Sequence, residues 1–355
     1  MSEKANLKDK FYGCIAGVHI GSAMGAPVEG WDFERTESTY GMLDKLVSYE
    51  HFNNGWVREA GTTEDGVERQ KLMISAIMEK QDRVTAEDVR RMWISKIKPE
   101  SAGMISEPFE AILLAMAKSG IPARDIGKYC DYSGLNSFSR SCHPIGLINA
   151  GDVQGAMNDV NEVGQLYQTT NGRGLKWAMV TAVAIASGTK PNATVDSVLG
   201  AIYDNCDPDM VVKEIDRELK RTAHIQDFRE FRKTLFESYN IRGIPYEVSY
   251  ANEVVTKAVC IFRMYKANIK EVMIAAVNMG RDTDCVTAVA AGISGALTGT
   301  ASLPEEWIQQ TDYATTLHVV TNSQRTIKEH AEGLYQAYQS RLKKLKAYSE
   351  MMSAI

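Results

Sequence analysis

The chain reads as an all-α protein built around one central buried helix, and three observations predict this. Apolar residues recur at helical spacing from end to end of the 355 residues, the pattern of helices that bury one face. Strand signals are sparse: residues 42–49 form the best short run, and they read better as a loop. Finally, residues 285–303 carry no charge and are rich in Gly, Ala, Ser and Thr. That stretch is nearly long enough to span a bilayer. Its small residues and the acids immediately before it suit instead a helix buried in protein, with neighbours packed closely on it.

In chain order, residues 13–25 form a helix dotted with glycines (Gly13, Gly17, Gly21, Gly25), ended by Gly25 and Pro27, with Glu29 just beyond the turn. The next helix starts at Thr63, a natural N-cap, with Glu64 and Asp65 in its first turn and Leu72, Ile74, Ala76, Ile77 and Met78 as apolar positions. Helical periodicity continues over residues 86–97, 108–117, 123–129, 145–159, 175–187, 194–203, 211–220, 228–239, 253–265 and 269–277. Trp307 lies in a short helix after Pro304, and a long polar helix covers residues 327–348, whose Arg341, Lys343, Lys344 and Lys346 read as a solvated face. With no linker, low-complexity segment or short repeat, residues 1–355 are expected to form one all-α domain.

Composition narrows the function classes. A hydrophobic content of 44% is ample for a large core, and the formal charge of −5 offers no electrostatic case for a nucleic-acid partner. No two of the six cysteines make a Cys-x-x-Cys pair, so zinc-knuckle and thioredoxin-like spacings are absent. Scattered cysteines on apolar helices fit a reducing cytoplasm, and the polar start, residues 1–10, is unlike a signal peptide. No membrane partner is expected.

The stretch that organises the chain is Asn278-Met279-Gly280-Arg281-Asp282-Thr283-Asp284-Cys285. Locally, Gly280 breaks a helix, and Asp282 or Thr283 caps the next one with a side-chain oxygen. Asp282 and Asp284 also suit joint ligation of a hard cation such as Mg²⁺ or Mn²⁺. One Asp-Thr-Asp does not decide between capping and ligation. A second cluster with the same grammar stands upstream at Gly61-Thr62-Thr63-Glu64-Asp65-Gly66, again before a helix. Two acid-bearing helix starts that meet in space would build one oxygen-lined metal site.

These pieces, in this order, resemble the ADP-ribosylglycohydrolases. The family's opening Gly-x-x-x-Gly-x-x-x-Gly-Asp-Ala-x-Gly, then Pro-x-Glu, falls on Gly13, Gly17, Gly21, Ser22, Ala23, Gly25, Pro27 and Glu29. Its Thr-Asp-Asp-Thr falls on Thr63, Glu64, Asp65 and Gly66, and its late Asp-x-Asp-Thr on Asp282, Thr283, Asp284 and Cys285. The match runs over about residues 11–300, leaving residues 301–355 as C-terminal helices. Ser22, Glu64, Gly66 and Cys285 depart from the family pattern. Cys285 replaces a hydroxyl that ligates metal in the family, and a neutral thiol is a poor partner for Mg²⁺.

The resemblance implies the family's all-α fold and a metal-dependent hydrolase that cleaves the ribosyl bond of an ADP-ribosylated protein or small molecule, with ADP-ribose or a riboside as ligand. One or two Mg²⁺ or Mn²⁺ ions would be held by Asp65, Asp282 and Asp284, with Thr63, Glu64 and, least well suited, Cys285. Glu29 and Asp65 are the catalytic candidates, Glu29 as a base for water or as a gate. Residues 131–146 hold a turn-rich loop that looks like the family's substrate loop, in which Asn136 and Ser137 suit ribose or phosphate and Arg140 a phosphate or an internal carboxylate. Residues 168–174 suit a phosphate at the next helix start, and His143 is a better site candidate than the core-like His19. Two alternatives stay open: hydrolysis of another N- or O-riboside such as a nucleoside, and a non-catalytic binding or structural relative.

Overall fold

Side-chain caps set where many of the helices begin. The computed structural model describes residues 5–50, 55–97, 108–130 and 132–354. Asn6 accepts the Asp9 amide at the start of α1 (Leu7–Gly25), and Asp32 accepts that of Arg35 at α2 (Phe33–Tyr40). Two short strands, β1 (Tyr49–Glu50) and β2 (Val57–Arg58), pair antiparallel with Tyr49 opposite Arg58. Then follow α3 (Asp65–Lys80) and α4 (Ala86–Lys96), the latter opened by a reciprocal Thr85–Asp88 capping box. Next come α5 (Pro108–Lys118), α6 (Ala123–Ile126), α7 (His143–Ile148), α8 (Val153–Gly164), α9 (Arg173–Gly188) and α10 (Val195–Asn205). The chain continues through α11 (Lys213–Arg221), α12 (Phe228–Tyr239), α13 (Ala251–Met264), α14 (Ile269–Val277) and α15 (Thr283–Thr298). It ends with α16 (Glu305–Leu317) and the long α17 (Ile327–Ser353), which Thr326 and Glu329 cap reciprocally.

The all-α expectation holds, with local differences that have physical causes. Residues 42–49 make no strand beyond Tyr49, which joins the small β1–β2 ladder. The helix predicted over 145–159 is two, α7 and α8, separated where Gly151 takes φ +80°. The short, charged α2 buries only Thr36, so it carries no apolar stripe to be read. The cap of α3 is Glu64 rather than Thr63. Arg341 is buried, not solvated: it donates to the Ile148 carbonyl at 2.7 Å and to Asn149 Oδ1 at 2.9 Å, while the helix beyond it is exposed.

The centre of the molecule is the antiparallel pair α1 and α15. Every residue of α15 from Thr283 to Leu297 is buried, with α1, α9, α13 and α14 packed around it. No helix among the described residues is long and apolar enough to cross a membrane. The glycine repeat of α1 explains the closeness of the pair. Gly25 faces Asp284, Gly21 faces Thr287, Gly17 faces Ala291 and Gly13 faces Gly299. A Cβ at Gly21 would lie 2.9 Å from the Thr287 carbonyl oxygen, inside contact distance. Spacing by four keeps the glycines on one face, and that face lets the two backbones touch. The contact carries the C-terminal end of α1 to the N-terminal end of α15, where the acids are.

Candidate metal centre

The two chain turns at that end are tied to each other. Gly280 and Arg281 both lie in the left-handed region, at φ +74° and +71°, a conformation uncommon for arginine. Arg281's surroundings hold it there. Its amide donates to the Trp31 carbonyl at 2.6 Å, and its own carbonyl accepts from Gly30 at 2.8 Å. The buried guanidinium donates to Glu253 Oε1 at 2.7 Å, to the Ile241 carbonyl at 3.1 Å and to the Glu247 carbonyl. Thr283 Oγ1 donates to the Gly25 carbonyl at 2.8 Å. The exit of α1, which carries Glu29, is thereby locked against the entry of α15, which carries Asp282 and Asp284.

At the start of α15, ligand atoms of Asp282, Asp284 and Cys285 all lie within 4.8 Å of one another, the only such group of three among the described residues. Asp282 is 1% exposed and Asp284 2%. Asn136 Nδ2 donates to Asp282 Oδ2 at 2.7 Å. Asp282 Oδ1 and Asp284 Oδ1 are buried with no hydrogen-bond partner. Asp282 is the N-cap residue of α15, but its side chain makes no capping hydrogen bond. Burial first, then the neighbouring Glu29 and Asp282, push the Asp284 carboxyl well above the usual range. Burial and the same aspartates push the Cys285 thiol up as well. Orphaned carboxylate oxygens that repel one another are costly unless positive charge reaches them.

The acids at the start of α3 are treated differently. Asp65 Oδ2 accepts from Arg69 at 2.5 Å and from Arg140 at 2.7 Å. Burial works against its charge, but the two guanidiniums hold its carboxyl below the usual range. Glu64 Oε1 is bound by Arg58 and by the Tyr49 hydroxyl, both delivered by the β1–β2 ladder. The Glu64 amide donates to Ser22 Oγ at 3.3 Å, so the serine of α1 helps to cap α3. Thr63 Oγ1 lies 3.4 Å from Glu68 Oε1, and its carbonyl meets His318 Nε2 at 3.2 Å. Glu29 stands near both helix starts: burial first, then Asp282, Glu64 and Asp65, raise its carboxyl well above the usual range.

The loop before α7 supplies the third wall. Asn136 is fully buried, its amide bound to the Ser249 carbonyl at 2.9 Å and its side chain to Asp282. Ser137 Oγ is buried beside it without a partner. Arg140 reaches both helix starts, donating to Asp65 on α3 and to Cys285 Sγ on α15 at 3.3 Å. Gly66 makes room for it: a Cβ there would sit 3.0 Å from Arg140 Cδ.

Other sequence candidates lie elsewhere. His143 is buried, with Nδ1 3.2 Å from Gln70 Nε2, and burial pushes it down to about 3. His19 is buried beside His330, ring centroids 5.5 Å apart. At the start of α9 the Gly174 amide is spent on the Ser133 carbonyl at 2.6 Å rather than held open for phosphate. His51 and Asp131 lie outside the described residues. The sequence reading did not single out Tyr49, Arg58 or Arg69. Of these, only Arg69 had a legible signal, four residues after Asp65 on one helix.

The donor set fits a divalent cation, because two buried carboxylates keep an unpartnered oxygen each beside a sulfur. Comparison with known proteins agrees on the scaffold. The protein-family model for ADP-ribosylglycohydrolase matches residues 3–343. An uncharacterized protein of Archaeoglobus fulgidus is 25% identical over 317 residues, covering 85% of this chain and 92% of its own. The uncharacterized protein YegU of Escherichia coli is 21% identical over 301 residues, 82% and 88% of the two chains. A solved structure titled ADP-ribosylglycohydrolase-related protein complex superposes with a TM-score of 0.68 at 14% identity, over 94% of this chain and 99% of its own.

Proposed function

The chain belongs to the ADP-ribosylglycohydrolase family, and from that premise we propose that it is a metal-dependent hydrolase cleaving the ribosyl bond of an ADP-ribosylated protein or small molecule. Membership supports a glycohydrolase of ADP-ribosyl linkages in general. The observation that carries the metal-dependent reading is the pair of buried, unpartnered oxygens on Asp282 and Asp284.

Asp282 and Asp284 would hold the cation, with Cys285 beside them and Thr63, Glu64 and Asp65 facing from α3. Mg²⁺ or Mn²⁺ is the choice the family pattern favours. When bound, the cation supplies positive charge for the ribose hydroxyls and the attacking water. Asn136 orients Asp282 through its 2.7 Å bond and leaves the other oxygen turned elsewhere. Glu29, crowded by the same acids, accepts the proton of the water as it adds to the anomeric carbon. The bond from that carbon to the acceptor breaks, and the electron pair leaves with the acceptor. Positive charge at the ring in the transition state suits a pocket walled by carboxylates. Ser137, whose buried hydroxyl has no hydrogen-bond partner, would meet a ribose or phosphate oxygen.

The test is calorimetric titration with ADP-ribose, with Mn²⁺ and again with EDTA. Heat of binding only with the cation, together with release of ADP-ribose from a modified substrate, is the expected result. Metal-independent binding without turnover would overturn it. One observation favours a second reading, hydrolysis of a simpler N- or O-riboside: Arg140 is engaged with Asp65 and Cys285. A nucleoside panel separates the two, since a nucleosidase has no need of the pyrophosphate.

A further inference from the structure

Three of the chain's departures from the family pattern meet at one place. Glu64, Gly66 and Cys285 stand where the pattern has Asp, Thr and a hydroxyl residue, and each is in contact with an arginine. Arg58 binds Glu64. Arg140 lies over Gly66, whose missing Cβ leaves room for it, and donates to Cys285 Sγ at 3.3 Å and Asp65 at 2.7 Å. Arg69 adds a second guanidinium to Asp65 at 2.5 Å. The acids of α3 are thereby neutralised by the protein itself. Those of α15 are not: Asp282 Oδ1 and Asp284 Oδ1, on side chains 1% and 2% exposed, have no partner.

Among the described residues, the unpartnered carboxylate oxygens lie only at α15, and they leave a place for one cation there. The donor atoms left for that ion are two carboxylates and a sulfur within 4.8 Å of one another. Sulfur discriminates against Mg²⁺ and favours ions such as Zn²⁺ and Co²⁺, and a coordinating thiol gives up its proton outright.

We propose that this site takes a single divalent cation of the zinc or cobalt class, held by Asp282, Asp284 and the Cys285 sulfur, while Arg58, Arg69 and Arg140 supply the positive charge that a second cation would bring to Glu64 and Asp65. The proposal rests on the metal-dependent reading above and deepens it.

The test is a titration of the metal-free, reduced protein with Co²⁺, read by bound metal per chain and by the near-ultraviolet sulfur-to-cobalt charge-transfer band. One Co²⁺ per chain with the band is expected. Cys285→Ser should keep the single Co²⁺, lose the band and lower the preference for Co²⁺ over Mg²⁺ by about tenfold or more, the scale of changes close to a metal. Its fold is checked by circular dichroism. Should that variant not fold, zinc-edge X-ray absorption of the unaltered protein reads the sulfur neighbour directly. Two ions per chain, a band that survives in Cys285→Ser, or a bound ion without sulfur would each overturn this proposal and leave metal dependence standing. No bound cation at all would overturn the metal-dependent reading with it.

Discussion

The starts of α3 and α15 are written in the same grammar and used in opposite ways. Each places a glycine, a hydroxyl and neighbouring acids before a helix, where the positive end of the helix dipole favours negative charge. At α3, Arg58, Arg69, Arg140 and Tyr49 close on the carboxylates. At α15 one asparagine and one thiol approach, and two oxygens stay unpartnered. A buried acid that is fully paired holds the fold together; one that is left short of partners is held ready for a ligand. What separates the two helix starts is the company each receives: Arg58 and Arg69 from nearby in the chain and Arg140 from the loop before α7 close on α3, while α15 gets no such pairing for its two open oxygens.

That contrast can be broken by matched substitutions. Asp282→Asn and Asp284→Asn should leave the helical signal intact and lower turnover by more than the roughly 100-fold typical of losing an outer partner of a metal ligand. Unchanged turnover in a standard release assay would sink the metal assignment. Asp65→Asn should behave in the opposite sense. It strips Arg69 and Arg140 of their shared partner and should cost about 3–5 kcal/mol of stability in urea unfolding, where Asp282→Asn costs little. Equal losses in the two variants would show that the helix starts are not used differently.

His143 sharpens the comparison, because it sits between the helices: it meets Gln70 of α3 and lies over Gly292 of α15. Burial holds it neutral, with its folded value down at about 3 against about 6.5 for an unfolded histidine. The depressed value means that the unfolded chain takes up the proton first. The stability from the neutral ring is complete above about pH 6.5 and is lost as pH falls through about 3, by roughly 5 kcal/mol at about 1.4 kcal/mol per unit. His143→Gln should flatten that part of the stability-versus-pH curve, and a curve of unchanged slope would contradict the burial argument. The smallest effect is expected at Gly21. Gly21→Ala pushes a methyl against the Thr287 carbonyl and should cost about 1–3 kcal/mol of stability, with weaker metal binding as the two helix starts move apart. A variant as stable and as metal-competent as the parent would show that the α1–α15 contact does not set the site.

Much of the fold was legible because it depends on local pattern. Apolar periodicity marks helices whatever surrounds them, whereas the cap read at Thr63 falls one residue later, on Glu64. The small residues after Asp284 pointed to burial, and α15 is the most enclosed helix of the central pair. The site was legible as a set of acids but not as an arrangement. Arg140 was named with a phosphate or an internal carboxylate as its two possible partners, and the fold gives it Asp65. Nothing in the order of residues ties Arg58 to Glu64, because the turn between β1 and β2 and the approach of that ladder to α3 are both needed to bring them together.

By itself the sequence determined the helical class, the glycine spacing that lets two helices touch, and which side chains carry the chemistry, since each of these is set by residues close along the chain. Only the tertiary structure decided which carboxylates are matched and which are left open. That outcome depends on partners brought within a few ångströms from distant segments, such as Asn136 to Asp282, and in a buried, low-dielectric setting such contacts outweigh local propensity.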